Sequence, residues 1–93
     1  MKKITQKAVE ALLNQKNFKL SNTEVKDGNL YLFGYNIAHY ENNTLWITLA
    51  GWNTQTTRER LNGLPNVNIK VKNFIPYLNG EEMDVYKIYK IKI

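Results

Sequence analysis

The chain has 93 residues, of which 43% are hydrophobic and 23% charged, which is the composition of one globular domain rather than of a disordered chain. It contains no cysteine and one histidine, so disulfides, thiolate metal sites and mechanisms that need two histidines are excluded. No apolar run approaches the roughly 20 residues of a membrane span, and no apolar signal segment follows the basic start. We therefore expect one soluble intracellular domain over residues 1–93, without a membrane partner.

The net charge of the chain is +5, from 13 basic and eight acidic residues. A positive surface favours nucleic acid or an acidic protein as a partner. The chain also holds thirteen Asn and eight Ile, and all but two of its basic residues are Lys. Because an AT-rich genome encodes these residue types, and because Lys is the usual solvated surface residue, a compositional origin of the charge remains open beside a functional one.

An amphipathic helix is predicted over residues 3–16. Four apolar residues recur there at helical spacing, which places them on one stripe of the cylinder. These residues are Ile4, Ala8, Ala11 and Leu12. Most of the remaining chain has the character of strands, so the stripe is expected to pack on a sheet.

Turn signals divide the middle of the chain into antiparallel strands. Asp27-Gly28 favours a two-residue hairpin turn, in which both central residues have positive φ, between Phe18–Lys26 and Asn29–Phe33. Gly34 interrupts the next run and predicts a bulge or bend. Further strands are predicted over residues 35–40, 44–50, 66–72 and 85–93, with turns at 41–44 and at Asn79-Gly80.

A short second helix is predicted over Thr57–Asn62. Thr56 and Glu59 have capping-box spacing, and Gly63 followed by Pro65 is typical of a helix end. The order of elements predicts an α+β fold, with both helices packed on an antiparallel sheet of about five strands.

The segment between the predicted strand at 44–50 and this helix carries the first candidate site. It combines an aromatic ring, hydroxyls beside a helix N-terminus, which can hold an anion, and the only two arginines of the chain, which suit phosphate or carboxylate. The residues predicted to contact a partner are Trp52, Thr54, Thr57, Arg58 and Arg60. Removing both arginines is expected to weaken binding and leave stability nearly unchanged. The structural alternative, in which the threonines cap the helix and Trp52 lies in the core, remains open.

The C-terminal segment carries a second candidate site. Tyrosines alternate there with lysines, and aromatic rings beside lysines on a sheet can stack bases and follow a phosphate backbone. The residues are Tyr86, Lys87, Tyr89, Lys90 and Lys92. In the alternative interpretation, the lysines discourage edge-to-edge association of an edge strand.

No catalytic constellation is apparent in the sequence. His39 is the only histidine, and a metal site needs several ligands at matched spacing. An acidic cluster at Glu81, Glu82 and Asp84 could hold a cation or act in acid–base chemistry, but such loops are more often simply solvated. We therefore expect no enzyme, no metal and no cofactor.

One segment resembles a motif of small proteins from bacteriophages and other mobile elements. The motif is Trp52-x-Thr54-x-Thr56-Thr57-x-Glu59-Arg60-Leu61-Asn62. The strand Leu30–Ala38 and the tetrapeptide Tyr77-Leu78-Asn79-Gly80 also fit, so that the similarity spans about residues 28–80.

A small, cysteine-free, phage-like protein without a catalytic constellation looks like an inhibitor of host defence, such as an anti-CRISPR protein, that binds an RNA-guided nuclease or its guide RNA in the host cytoplasm. The nucleic-acid channels of such nucleases are positive, so a basic inhibitor is expected to contact an acidic surface or the guide RNA. The alternative is a general binding protein for single-stranded RNA or DNA.

Overall fold

The computed structural model describes residues 1–93 and contains two helices and nine strands. In chain order these are α1 (Lys3–Leu13), β1 (Phe18–Leu20), β2 (Thr23–Lys26), β3 (Asn29–Leu32), β4 (Tyr35–Glu41), β5 (Thr44–Ile47), α2 (Gln55–Asn62), β6 (Ile69–Lys72), β7 (Ile75–Leu78), β8 (Glu81–Glu82) and β9 (Tyr89–Lys92). No helix is both long enough and apolar enough to cross a membrane.

Six strands form the larger antiparallel sheet, in the order β1-β2-β3-β4-β5-β9. The predicted hairpin at Asp27-Gly28 is confirmed, with φ of 51° and 81°. The segment Phe18–Lys26 is two strands rather than one, because the chain reverses at Ser21-Asn22. The C-terminal strand β9 pairs with β5 and forms one edge of the sheet.

Of the bulge or bend predicted at Gly34, the structure contains the bend. Phe33-Gly34 forms the tight turn between β3 and β4, with φ of 52° and 82°, which closely matches the Asp27-Gly28 turn. The bulge lies on β4 at Ile37, where the register between β3 and β4 shifts by one residue.

The smaller sheet contains β6, β7 and β8. The strand predicted over residues 66–72 is shorter, since only Ile69–Lys72 is paired. Val67 and Ile69 enter the core as predicted, whereas Val71 is exposed, contrary to the prediction. The predicted turn at Asn79-Gly80 is confirmed, with φ of 51° and 90°.

Both helices cover one face of the larger sheet. Helix α1 packs on β1 to β4, and α2 contacts β4 and β6. The helices approach each other closely at Gly63, where a Cβ atom would lie 2.7 Å from Cγ2 of Thr5. Helix α1 ends at Leu13, before the predicted end at residue 16. Its buried residues are Thr5, Ala8, Val9 and Leu12.

One apolar cluster of 16 buried residues joins both sheets and both helices. It draws on Leu12 of α1, Ile47 of β5, Leu61 of α2 and Met83 after β8. The predicted α+β class is confirmed, but the strands number nine in two sheets rather than about five.

Candidate functional site

Helix α2 begins two residues earlier than the sequence predicts. Thr54 is its N-cap, and the Thr54 hydroxyl accepts a hydrogen bond of 3.2 Å from the backbone amide of Thr57. The predicted capping box of Thr56 and Glu59 does not form, because the Glu59 carboxylate bonds to Thr5 and Arg60 instead. The cap accounts for Thr54 and Thr57 structurally, as the alternative interpretation of this segment anticipates.

Arg60 is the centre of a buried polar network that joins three elements. Its guanidinium donates to the hydroxyls of Thr23 on β2, at 3.0 Å, and of Thr5 on α1, at 3.1 Å. It also forms an ion pair with Glu59 and a longer contact of 3.4 Å with Asn22. All buried polar side-chain atoms of the molecule have partners, so the guanidinium is satisfied within the fold.

The burial of Arg60 corrects one of the predicted partner contacts. Only 5% of the residue is exposed, and its donors are used inside the protein. Arg60 therefore links α1, β2 and α2, and it is not available to bind a phosphate or carboxylate of a partner.

The Glu59 carboxylate has a lowered pKa. Burial acts in the opposite direction and raises it, but hydrogen bonds from the Thr5 hydroxyl, the Lys2 amide and Arg60, together with the Arg60 charge, outweigh that effect. Because the folded state binds this proton more weakly than the unfolded state, Glu59 stabilises the fold above its ordinary pKa of 4.5.

We expect this contribution to disappear as the pH falls below about 4.5 and through the lowered pKa of the folded state. Chemical denaturation between neutral and acidic pH measures it. Glu59→Gln, which has no proton to gain, should show a smaller loss of stability over the same interval. An equal pH dependence in both proteins would contradict the assignment.

Arg58 is half-buried and holds together two loops near Trp52. Its guanidinium donates to Oδ1 of Asn53 at 2.6 Å, and the side-chain amide Nδ2 of Asn53 donates to the backbone carbonyl of Phe74 at 3.2 Å. The turn between β6 and β7 is thereby fastened to the residue that follows Trp52.

Trp52 lies at the edge of an apolar groove at the end of the larger sheet. The ring of Trp52 packs against Tyr35, with 5.5 Å between centroids and a tilt of 58°. Both side chains are about half exposed. The groove has a volume of about 380 Å³ and continues inward to buried Leu32 and Ile37. We call this feature the aromatic groove; its lining residues are Leu32, Phe33, Tyr35, Ile37, Trp52, Thr54 and Thr57.

Two exposed phenylalanines, Phe33 in this groove and Phe74 on the turn bonded to Asn53, occupy backbone positions that bulky residues rarely adopt. Phe33 has φ of 52° and is 68% exposed, and Phe74 has φ of 67° and is 94% exposed. Asn, Asp or Gly suits such turn positions, whereas a bulky side chain there is strained. Local strain combined with exposed apolar area gives no evident benefit to folding, which makes both rings candidates for binding.

Sequence reasoning located part of the aromatic groove. Trp52, Thr54 and Thr57 were expected to act together, and they do lie side by side in it. It missed Phe33 and Tyr35 of the groove, and Phe74 on the turn bonded to Asn53. One signal was present, because Phe33-Gly34 occupies the same place between two strands as Asp27-Gly28.

The structure divides the residues of the C-terminal candidate site. Tyr89 faces inward and packs on the core, with the Lys87 ammonium 5.4 Å from its ring centre. Lys90 and Lys92 alternate with inward residues and point to the opposite face of the sheet. Tyr86 is exposed before β9 and packs over Gly51, so these five residues do not form one surface.

His39 has a local structural environment. Its Nδ1 lies 2.9 Å from Oδ1 of Asn29, and its Nε2 lies 3.1 Å from a carboxylate oxygen of Glu41. No group of three or more potential metal-ligating side chains comes together in the structure.

The fold and the site define a small α+β domain with an aromatic groove on its surface. The family model of the Kyanoviridae Gp96 protein matches residues 1–90. The chain therefore belongs to the Kyanoviridae Gp96 family, which confirms the prediction of a small phage protein family. No curated protein and no solved structure matches the chain.

Proposed function

We propose that this phage protein acts by binding a host protein in its aromatic groove, without catalysing a reaction. The observation that carries the proposal is the strained, exposed ring of Phe33, which lines the groove together with the half-exposed ring pair of Tyr35 and Trp52. A second strained, exposed ring, that of Phe74, lies on the turn that is hydrogen-bonded to Asn53. Exposed aromatic clusters of this kind typically mark protein interfaces.

The groove is built to hold a side chain of a partner. Its inner wall consists of the buried Leu32 and Ile37, and its outer wall consists of aromatic rings. Aromatic residues dominate the binding energy of many interfaces because they bury a large area at a small cost in conformational entropy. Arg58 and Asn53 hold the Phe74 turn in place, so little ordering is required when the partner binds.

The partner we propose is an acidic protein of a host defence system that presents an apolar side chain. The net charge of +5 favours an acidic surface, and membership of a phage family supports a target in the host cytoplasm. An RNA-guided nuclease is the specific target we propose, which would make the protein an anti-CRISPR. A basic inhibitor cannot imitate nucleic acid in a positive channel, so it would bind elsewhere on that enzyme.

Capture from the host cytosol with a groove variant tests the proposal. The tagged protein should retain a defence protein after ribonuclease treatment, and Trp52→Ser should lose it. Ile88→Thr provides the control, because Ile88 is exposed and apolar but lies outside the groove. The captured protein, once purified, should form a complex of fixed stoichiometry with the wild-type chain. Formation of this complex should inhibit the nuclease activity of the captured protein.

Two results would overturn the proposal. Equal capture by the wild type and by Trp52→Ser would show that the groove is not the binding site. Loss of the captured protein after ribonuclease treatment would show that RNA bridges the two, as expected for a general nucleic-acid-binding protein.

A further inference from the structure

The face of the larger sheet opposite the helices is uncovered. Side chains alternate between the faces of each strand, and the buried residues of β2 to β5 point toward α1 and α2. None of the aromatic or charged residues on the other face is buried. We call it the outer sheet face; the residues that matter here are Lys19, Lys26, Tyr31, Trp46, Lys90 and Lys92.

The outer sheet face carries an excess of positive charge. It contains four lysines and only two acidic residues, Glu24 and Glu41. Glu24 lies opposite Lys19, and Glu41 accepts the 3.1 Å contact from His39. Lys90 and Lys92 lie opposite Trp46 and Thr44 and have no acidic residue across the strand pair.

Trp46 lies on β5, next to the edge strand β9 of this charged surface. Across the strands it is flanked by His39 on β4 and by Lys90 on β9, and its ring centre is 5.5 Å from that of His39. Tyr31 lies on the same face. It is two residues along β3 from Asn29, which pairs with His39, the neighbour of Trp46. Trp46 and Tyr31 are partly exposed, so their rings are accessible from solvent.

We infer that the outer sheet face binds single-stranded nucleic acid. Unpaired bases would stack on Trp46, and the phosphates would pair with Lys90 and Lys92 beside it and with Lys19 and Lys26 across the face. Every base has a π-face, so stacking of this kind tolerates sequence variation, and lysines follow the backbone. No helix projects from this face that could enter the groove of a double helix. Stacking on Trp46 also requires unpaired bases, so the face suits single strands rather than a duplex.

Fluorescence anisotropy with labelled oligouridine and oligothymidine tests the inference, and the two oligomers distinguish RNA from DNA. If four lysines contact phosphates, affinity should fall about 50-fold between roughly 50 and 200 mM salt. The charge reversal Lys90→Glu with Lys92→Glu should weaken binding at low salt by about tenfold or more and reduce the salt effect to about sevenfold.

The matched control is Lys70→Glu with Lys72→Glu on β6. It makes the same change in net charge, at the same spacing, on exposed residues of the smaller sheet. This variant should keep most of the affinity. Equal losses in both variants would show that binding depends on general charge, which would contradict a site on the outer sheet face.

A spectroscopic signal reports stacking directly. In a Trp52→Phe background, Trp46 is the only tryptophan, and saturating oligonucleotide should quench its fluorescence. Absence of quenching, or absence of binding at low salt, would overturn the inference and leave the lysines as protection of the sheet edge. The inference is independent of the proposed function, because Trp52→Ser should lose the host protein while it still binds oligonucleotide.

Discussion

Arg60→Ala should lower the free energy of unfolding by about 3 kcal/mol, because it removes a buried guanidinium that donates to two hydroxyls and pairs with a partly buried carboxylate. The Glu59 carboxylate would remain within the fold without its cation, and the hydroxyls of Thr5 and Thr23 would lose a charged donor. A domain of this size is typically stable by only about 5–15 kcal/mol, so much of its stability would disappear.

Arg58→Ala is the natural control for this experiment. Both arginines lie on α2, but Arg58 is half-buried and donates to a single side chain, that of Asn53. Its removal should cost about 1 kcal/mol, the value of an ordinary hydrogen bond. Urea denaturation of both variants measures the difference. Equal stability of Arg60→Ala and Arg58→Ala would show that the buried network does not hold the helices to the sheet.

Replacing both strained phenylalanines with asparagine should raise stability and strongly weaken binding of the host protein. Phe33→Asn creates the Asn-Gly turn that the chain already uses at Asn79-Gly80, and Phe74→Asn creates the Asn-Asn turn already present at Asn42-Asn43. Relief of positive φ at two bulky residues should increase the free energy of unfolding by about 1 kcal/mol or more. Loss of two exposed rings should weaken partner binding by roughly 10³-fold, at about 2 kcal/mol for each hot-spot residue.

The opposite signs of these two effects make the experiment informative. Thermal unfolding measures the first effect, and titration of the purified host partner measures the second. Ile88→Thr removes exposed apolar area outside the groove, and it should change neither the thermal stability nor the affinity for the partner strongly. A double variant that is destabilised, or that still binds the partner with full affinity, would show that the two rings serve the fold rather than an interface.

The roles of the two arginines illustrate what cannot be predicted from sequence. Both were expected at a binding surface with little effect on stability, and Arg60 instead is buried among residues far away in the chain. Its hydrogen bonds to Thr23 and Thr5 span 37 and 55 positions. No local pattern signals which of two arginines on one helix will meet such partners, because that depends on how α2 packs against α1 and β2.

The aromatic groove was predictable in part for a related reason. Trp52 and Thr54 belong to one continuous segment, so residue types alone singled them out. Tyr35 and Phe33 come from the preceding hairpin, and they join Trp52 only because the loop after β5 folds over the end of β3 and β4. The turn at Phe33 was missed since phenylalanine is not a residue that favours positive φ.

The amino-acid sequence by itself determined the α+β class, the start of α1 and the turns at Asp27-Gly28, Asn42-Asn43 and Asn79-Gly80. These features depend on helical periodicity and on backbone angles that few residue types adopt, and both are local properties of the chain. The tertiary structure alone decided that Arg60 is buried, that an aromatic groove opens beside Trp52 and that Lys90 and Lys92 share a face with Trp46. Those features depend on packing and strand register between distant segments, which local residue preferences do not specify.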